Sequence, residues 1–210
     1  MTSLRITPSF SYQKTRNRSV TDYKTLADAH AKINEGGTSN LSNNEGFNFR
    51  NDLIFRKKFK RKGRTFSLSL QTSLNESDGD GSLNSITNFY DPSSGTLVKR
   101  DTLNQQNSNN SSLRSYSARA VYTEPVFKRS LLEFSIGKSN SKNISELTTY
   151  DYNRQTGKYD NLNTVQTNDY QNIYGFTNAG FWMRTQKKKY NYSFGLSWQQ
   201  ANWKARSALV

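Results

Sequence analysis

The sequence predicts an all-β chain: an antiparallel, up-and-down transmembrane β-barrel segment, about seven strands of a larger barrel, with long extracellular loops. Three observations predict it. Apolar and polar residues alternate with period two over several segments, the pattern of a strand with one apolar face. The connectors between those segments alternate short and long, as in outer-membrane barrels with short periplasmic turns and long outer loops. Hydrophobic residues make up only 32% of the 210 residues while aromatics reach 13%. That is too little for a dry core, against roughly 45–50% apolar in globular chains, and too aromatic for disorder.

The first segment sets Leu4, Ile6, Pro8, Phe10 and Tyr12 against Arg5, Thr7, Ser9, Ser11 and Gln13; Pro8 removes one ladder hydrogen bond. The second sets Phe47, Phe49, Leu53, Phe55 and Phe59 against Asn48, Arg50, Asp52, Arg56 and Lys58. In the third, Phe66, Leu68, Leu70, Thr72 and Leu74 oppose Ser67, Ser69, Gln71 and Ser73. In the fourth, Tyr116, Ala118, Ala120 and Tyr122 oppose Ser117, Arg119 and Thr123, with Val121 out of pattern. The fifth sets Leu132, Phe134 and Ile136 against Glu133, Ser135 and Gly137. The sixth places Tyr174, Phe176 and Trp182 on the apolar face and leaves Phe181 and Met183 on the polar one. The seventh alternates without a fault from Tyr190 through Tyr192, Phe194, Leu196 and Trp198.

Short turns fall near residues 60–64, 124–129 and 185–188, and long connectors over 15–46, 76–112 and 139–171. Two of the long connectors carry turn signals inside them, at Asp91-Pro92-Ser93-Ser94-Gly95 and at Gln155-Thr156-Gly157. Strand pairs are therefore expected to continue beyond the membrane. In the first connector, Leu26, His30 and Ile33 stand at helical spacing ahead of Gly36-Gly37. A short helix is expected over 22–34, with His30 an ordinary polar residue on it.

The absence of Cys and the single His exclude a disulfide framework, a thiol nucleophile and a multi-histidine metal site. No acid–base pair or phosphate-binding glycine loop is present, so no enzyme and no cofactor are expected. No run of apolar residues is long enough for a membrane helix. The first residues lack the basic flank and apolar stretch of a signal peptide. The net charge is +14, concentrated in runs at residues 56–64 and 187–189. Both runs sit at turns, and the nearby aromatics alternate into strands instead of standing free for base stacking. Nucleic acid is not the expected partner.

A soluble sandwich also alternates, but it must fill a core from both sheets, and here the apolar residues are too few. Lipid covers an apolar barrel face without a second layer, and a wet lumen suits Ser, Asn, Gln and Arg on the other. Phe49, Phe59, Phe66, Tyr122, Trp182, Tyr190 and Trp198 lie towards the strand ends and form the expected lipid-facing girdles. Arg50, Arg56, Arg119 and Glu133 are the expected lumen-facing residues. An odd number of strands does not close a bacterial barrel. The whole chain, 1–210, is thus expected to be one partial barrel domain.

Arg5-Ile6-Thr7-Pro8-Ser9-Phe10-Ser11-Tyr12 as an outward strand, the basic turn before Phe66-Ser67-Leu68, the Tyr90-Asp91-Pro92-Ser93-Ser94-Gly95 hairpin and Tyr122-Thr123-Glu124-Pro125 entering a short turn give the chain a family texture. It resembles the barrel part of TonB-dependent receptor-like outer membrane proteins of the Bacteroidetes type, over nearly its whole length. The resemblance implies a bacterial outer-membrane location and a barrel of about 22 strands with a plugged lumen. It also implies energised uptake of a nutrient such as a metal chelate or glycan, through the plug and, indirectly, the TonB complex. The family's plug domain and TonB-contacting segment match nothing here, so no ligand residue is carried over. Ligand contacts are expected from the long loops and the plug, not from the turn lysines. The alternative is a secreted or surface β-rich adhesin or carbohydrate-binding protein, which would fold in plain buffer.

Overall fold

The computed structural model describes every residue except 28–30, 188 and 209–210. The strands are β1 (Thr2–Leu26), β2 (Lys32–Lys58), β3 (Thr65–Tyr90), β4 (Leu97–Phe127), β5 (Ser130–Asn153), β6 (Lys158–Leu162), β7 (Asn168–Gln186) and β8 (Asn191–Ala208). All pairings are antiparallel. Seven strands form one meander in the order β1-β2-β3-β4-β5-β7-β8, and β6 pairs with β5 off that path. The sheet is not closed: β1 and β8 are its two edges. Pro8 lies on edge strand β1, where a missing ladder donor is tolerated.

The seven alternating segments all fall within these strands or at their turn ends. The strands run far past them. β4 has 31 residues and β2 has 27, several times the roughly 9–11 a tilted membrane strand needs. The ladders continue outward into what the sequence shows as long connectors, ending at tight turns. At the outer end of β3, Asp91 accepts the backbone N–H groups of Ser93 and Ser94 at 2.7 and 3.0 Å, an Asx arrangement suited to a turn. Gly95 follows at φ +69°, a left-handed conformation glycine adopts without steric cost.

The helix expected over 22–34 is not formed. Residues up to Leu26 belong to β1 and residues from Lys32 to β2, paired as Tyr23↔Gly36 and Asp22↔Gly37; His30 lies outside the described residues. The helical spacing of Leu26 and Ile33 competes with a β-favouring run, Val20-Thr21-Asp22-Tyr23-Lys24-Thr25, and with a continuous ladder on both sides. Gly36-Gly37 therefore ends no helix. A Cβ on Gly36 would lie 2.3 Å from the carbonyl oxygen of Ile86 and 2.7 Å from Tyr23 Oη, so these glycines let neighbouring groups close over the sheet.

Among the described residues no hydrophobic side chain is buried. The buried side chains are polar: Gln105, Ser130, Thr149, Thr167 and Thr185. The sheet has no core of its own, so its stability as seen rests on the ladder and on cross-strand contacts.

Candidate functional site

Directly paired residues in an antiparallel ladder share a face, so the register assigns every side chain to one of two surfaces. One row reads Leu4, Phe55, Leu68, Ala120, Ile136, Ala179, Trp198 across all seven strands of the meander. Every member is apolar. The next row towards the short turns adds Phe66, Tyr122, Phe134, Phe181 and Leu196, and the one beyond adds Leu132, Met183 and Phe194. On the outer side the same face turns basic, at Arg114, Lys142 and Lys204. The face is thus a bounded apolar belt. It is open to its surroundings, with Trp198 56% and Leu196 80% exposed.

The belt crosses the hydrogen-bond rows obliquely. Its middle on β1 is Pro8, and the ladder carries Pro8 through Asn51, Thr72, Tyr116, Asn140 and Gly175 to Asn202. On β8 the middle of the apolar segment is Phe194, eight residues from Asn202 towards the short turns. With strands ~4.8 Å apart and ~3.3 Å per residue, this offset means strands inclined roughly 40° to the normal of the belt.

Six of the seven expected girdle residues lie on the belt face or against a residue that does. Phe49, Phe66, Tyr122 and Trp198 lie on the belt face. Phe59 packs edge-on against Tyr122 at 6.4 Å, and Tyr190 stacks on Tyr192 at 6.3 Å. Trp182 is the correction. β7 is turned over relative to the sequence reading: Phe181 pairs with Phe134 and Met183 with Leu132 on the belt. Tyr174, Phe176 and Trp182 accordingly occupy the polar face. There Trp182 lies flat across Gly195, its ladder partner. A Cβ at Gly195 would sit 2.2 Å from Trp182 Cε3.

Arg50, Arg56, Arg119 and Glu133 all occupy the polar face, but in separate rows. Arg50 pairs with Asp52 at 2.9 Å, and Glu133 meets Arg184 at 3.9 Å. Arg119 shares a row with Arg5, which the sequence reading placed on this face without singling it out. These residues line a wall and do not converge on a point. No His, Cys, Asp or Glu group able to hold a metal occurs among the described residues.

A dense polar cluster lies at the outer end, where side chains of the β5–β6 hairpin reach across to β4. Asp151 accepts Gln105 Nε2 at 2.7 Å and Asn163 Nδ2 at 3.1 Å. Tyr159 Oη donates to Asn104 at 2.8 Å, and Tyr152 and Tyr159 meet edge to face at 5.3 Å. The buried Thr149 N–H donates to Thr167 Oγ1 at 3.1 Å. Asn104, Gln105, Asp151, Tyr152 and Asn163, with Arg154 and Thr102, border a cleft of about 640 Å³, a size that suits a small polar ligand. The sequence marks the turn at residues 155–157 but nothing of the cleft, because its Asn, Gln and Thr residues resemble those of every other outer segment.

At the short-turn end, Glu124 is the hub. It receives Arg64 through Nε and Nη2, both at 2.7 Å, Arg61 at 2.8 Å and the Tyr122 hydroxyl at 2.6 Å. Arg64 first, then Tyr122, holds its carboxyl down at about 2. This fork-shaped pairing ties the first basic turn to the end of β4. The chain matches no protein-family model and no curated protein.

Proposed function

We propose that this chain forms part of the wall of an outer-membrane β-barrel receptor or transporter, inserted in lipid by its belt face and serving TonB-dependent nutrient uptake. The observation that carries the membrane reading is the seven-strand apolar row on a face with no partner layer. Lipid is the partner such a face requires, because an exposed apolar surface this extended is unfavourable in water. The inclination of roughly 40° supports the same reading, since strands of membrane barrels tilt by about 35–45°. The two open edges call for further strands of the barrel, as an unpaired ladder is not stable in lipid. The uptake role rests on the family resemblance, and the outer cleft beneath the β5–β6 hairpin is where ligand contact is proposed.

Fractionation tests the reading. Envelopes are washed with alkaline carbonate and the outer-membrane pellet is run with and without boiling. A carbonate-resistant, heat-shifting band supports an integral barrel; a freely soluble protein overturns it. The tyrosine pair beside Asp151 favours a second reading, a surface carbohydrate-binding protein without membrane insertion. That protein would fold without detergent and bind glycan in buffer.

A further inference from the structure

The three short turns bring one sign of charge to one rim of the belt. Residues 57–64, 124–133 and 184–189 hold twelve of the 30 Lys and Arg residues but only two of the 16 Asp and Glu residues. Most of the +14 net charge therefore gathers there. The two carboxylates are already engaged, Glu124 with Arg61 and Arg64, and Glu133 with Arg184. Among the described residues, Lys62, Lys128 and Arg129 take part in no ion pair.

These turns border a groove of about 1450 Å³. Arg61, Lys62, Lys128, Arg129, Arg184 and Lys187 contribute to its lining, and among the described residues no carboxylate does. The groove is not purely polar. Phe127, 71% exposed, and Tyr192 also border it, and Tyr192 continues the apolar alternation of Phe194 and Leu196 down β8. Cations thus begin where the belt ends. Long Lys and Arg stems extend apolar contact while their heads reach the interface, and such clusters attract anionic lipid.

We propose that this rim binds the phosphodiester headgroups of anionic glycerophospholipids, seating Lys62, Lys128 and Arg129 on phosphate while Phe127 and Tyr192 lie along the upper acyl chain. The proposal rests on the membrane reading above. An acidic polypeptide would answer the charge alone. A phospholipid answers both the charge and the exposed apolar residues continuous with the belt.

The intact protein, purified from outer membranes in neutral detergent, is offered equimolar phosphatidylglycerol and phosphatidylcholine, and retained lipid is counted by native mass spectrometry. Phosphatidylglycerol is expected to be enriched roughly tenfold or more. The triple variant Lys62→Gln, Lys128→Gln, Arg129→Gln should bring the ratio near parity while the heat-shifted band persists. A control at the opposite end, Lys99→Gln with Arg100→Gln, should leave it unchanged. Equal retention of the two lipids by the native protein overturns the proposal, as does enrichment that survives the triple variant. Displacement by inorganic phosphate at matched concentration assigns the rim to free phosphate, and displacement by polyglutamate assigns it to an acidic polypeptide; either overturns the lipid assignment. A protein absent from the carbonate-resistant fraction fails the membrane reading first, before any lipid is added.

Discussion

Phe134 and Phe181 face each other across β5 and β7, directly paired in the ladder with ring centroids 5.2 Å apart. This contact orients β7. It puts Phe181 and Met183 on the belt and sends Trp182 to the opposite surface, over Gly195.

Trp182 and Trp198 should therefore report different surroundings. With the other tryptophans replaced by Phe, a protein retaining only Trp198 should be strongly quenched by brominated lipid in reconstituted bilayers. One retaining only Trp182 should be quenched far less. Equal quenching would mean that β7 is not turned as described.

Neighbouring positions on β5 should respond oppositely to charge. Ile136 lies in the central apolar row, and Ser135 points to the other face beside Gly180. Ile136→Lys should destabilise the inserted protein by about 2–4 kcal/mol, the range for a cation on the lipid face near mid-bilayer. Ser135→Lys should change stability by less than about 1 kcal/mol, because on the proposed lumen side that lysine stays hydrated. Denaturant titration of both variants in the same lipid checks the contrast.

Glu124 gives stability a defined pH dependence. Its ordinary value of 4.5 falls to about 2 in the folded protein, first through Arg64 and then Tyr122. A lowered carboxylate contributes fully above its unfolded value and loses that contribution as pH falls through the folded one. The difference in thermal midpoint between the native protein and Glu124→Gln should be constant above about pH 4.5 and shrink towards zero near pH 2.

Gly195 is expected to tolerate no side chain while Trp182 lies on it. Gly195→Val must lift the indole off the strand, with a cost of about 1–3 kcal/mol as for other overpacked sites. A change in Trp182 emission should accompany the loss. Trp182→Ala in the Gly195→Val background should recover part of it.

The outer hairpin should come loose without disturbing the belt. Asp151→Ala removes the acceptor for both Gln105 and Asn163. Amide exchange should quicken over residues 149–167 and stay unchanged over 132–136.

Strand identity was legible wherever one face was apolar without exception, as from Tyr190 to Trp198, because a period of two leaves a single assignment of faces. β7 was not legible in this way. It carries large apolar residues on both faces, Phe181 and Met183 on one and Tyr174, Phe176 and Trp182 on the other, and only pairing with β5 and β8 decides between them. The segment 22–34 misled for a related reason: three residues at helical spacing outweighed a run with Val20, Thr21, Tyr23 and Thr25, whose partner strand lay in the same connector. Arg50, Arg56, Arg119 and Glu133 share one face in the sequence and in the ladder alike, since face follows from parity alone. The outer cleft was invisible because it depends on side chains that reach from the β5–β6 hairpin to β4, Arg154 to Thr102 and Tyr159 to Asn104, and neither periodicity nor composition encodes those contacts.

The meander path has a consequence for how such a chain changes over time. Apart from the short β6, which pairs with β5 off the path, each strand takes its ladder partners only from the strands beside it, so the smallest removable unit is a hairpin. Deleting β2 and β3 together would leave β1 and β4 still antiparallel and their apolar segments still on one side. Losing a single strand would invert everything after it. Duplication or loss by pairs of strands is thus the one form of length variation this architecture accepts without redesigning the residues that remain, and a sheet built this way can widen or narrow in steps of two.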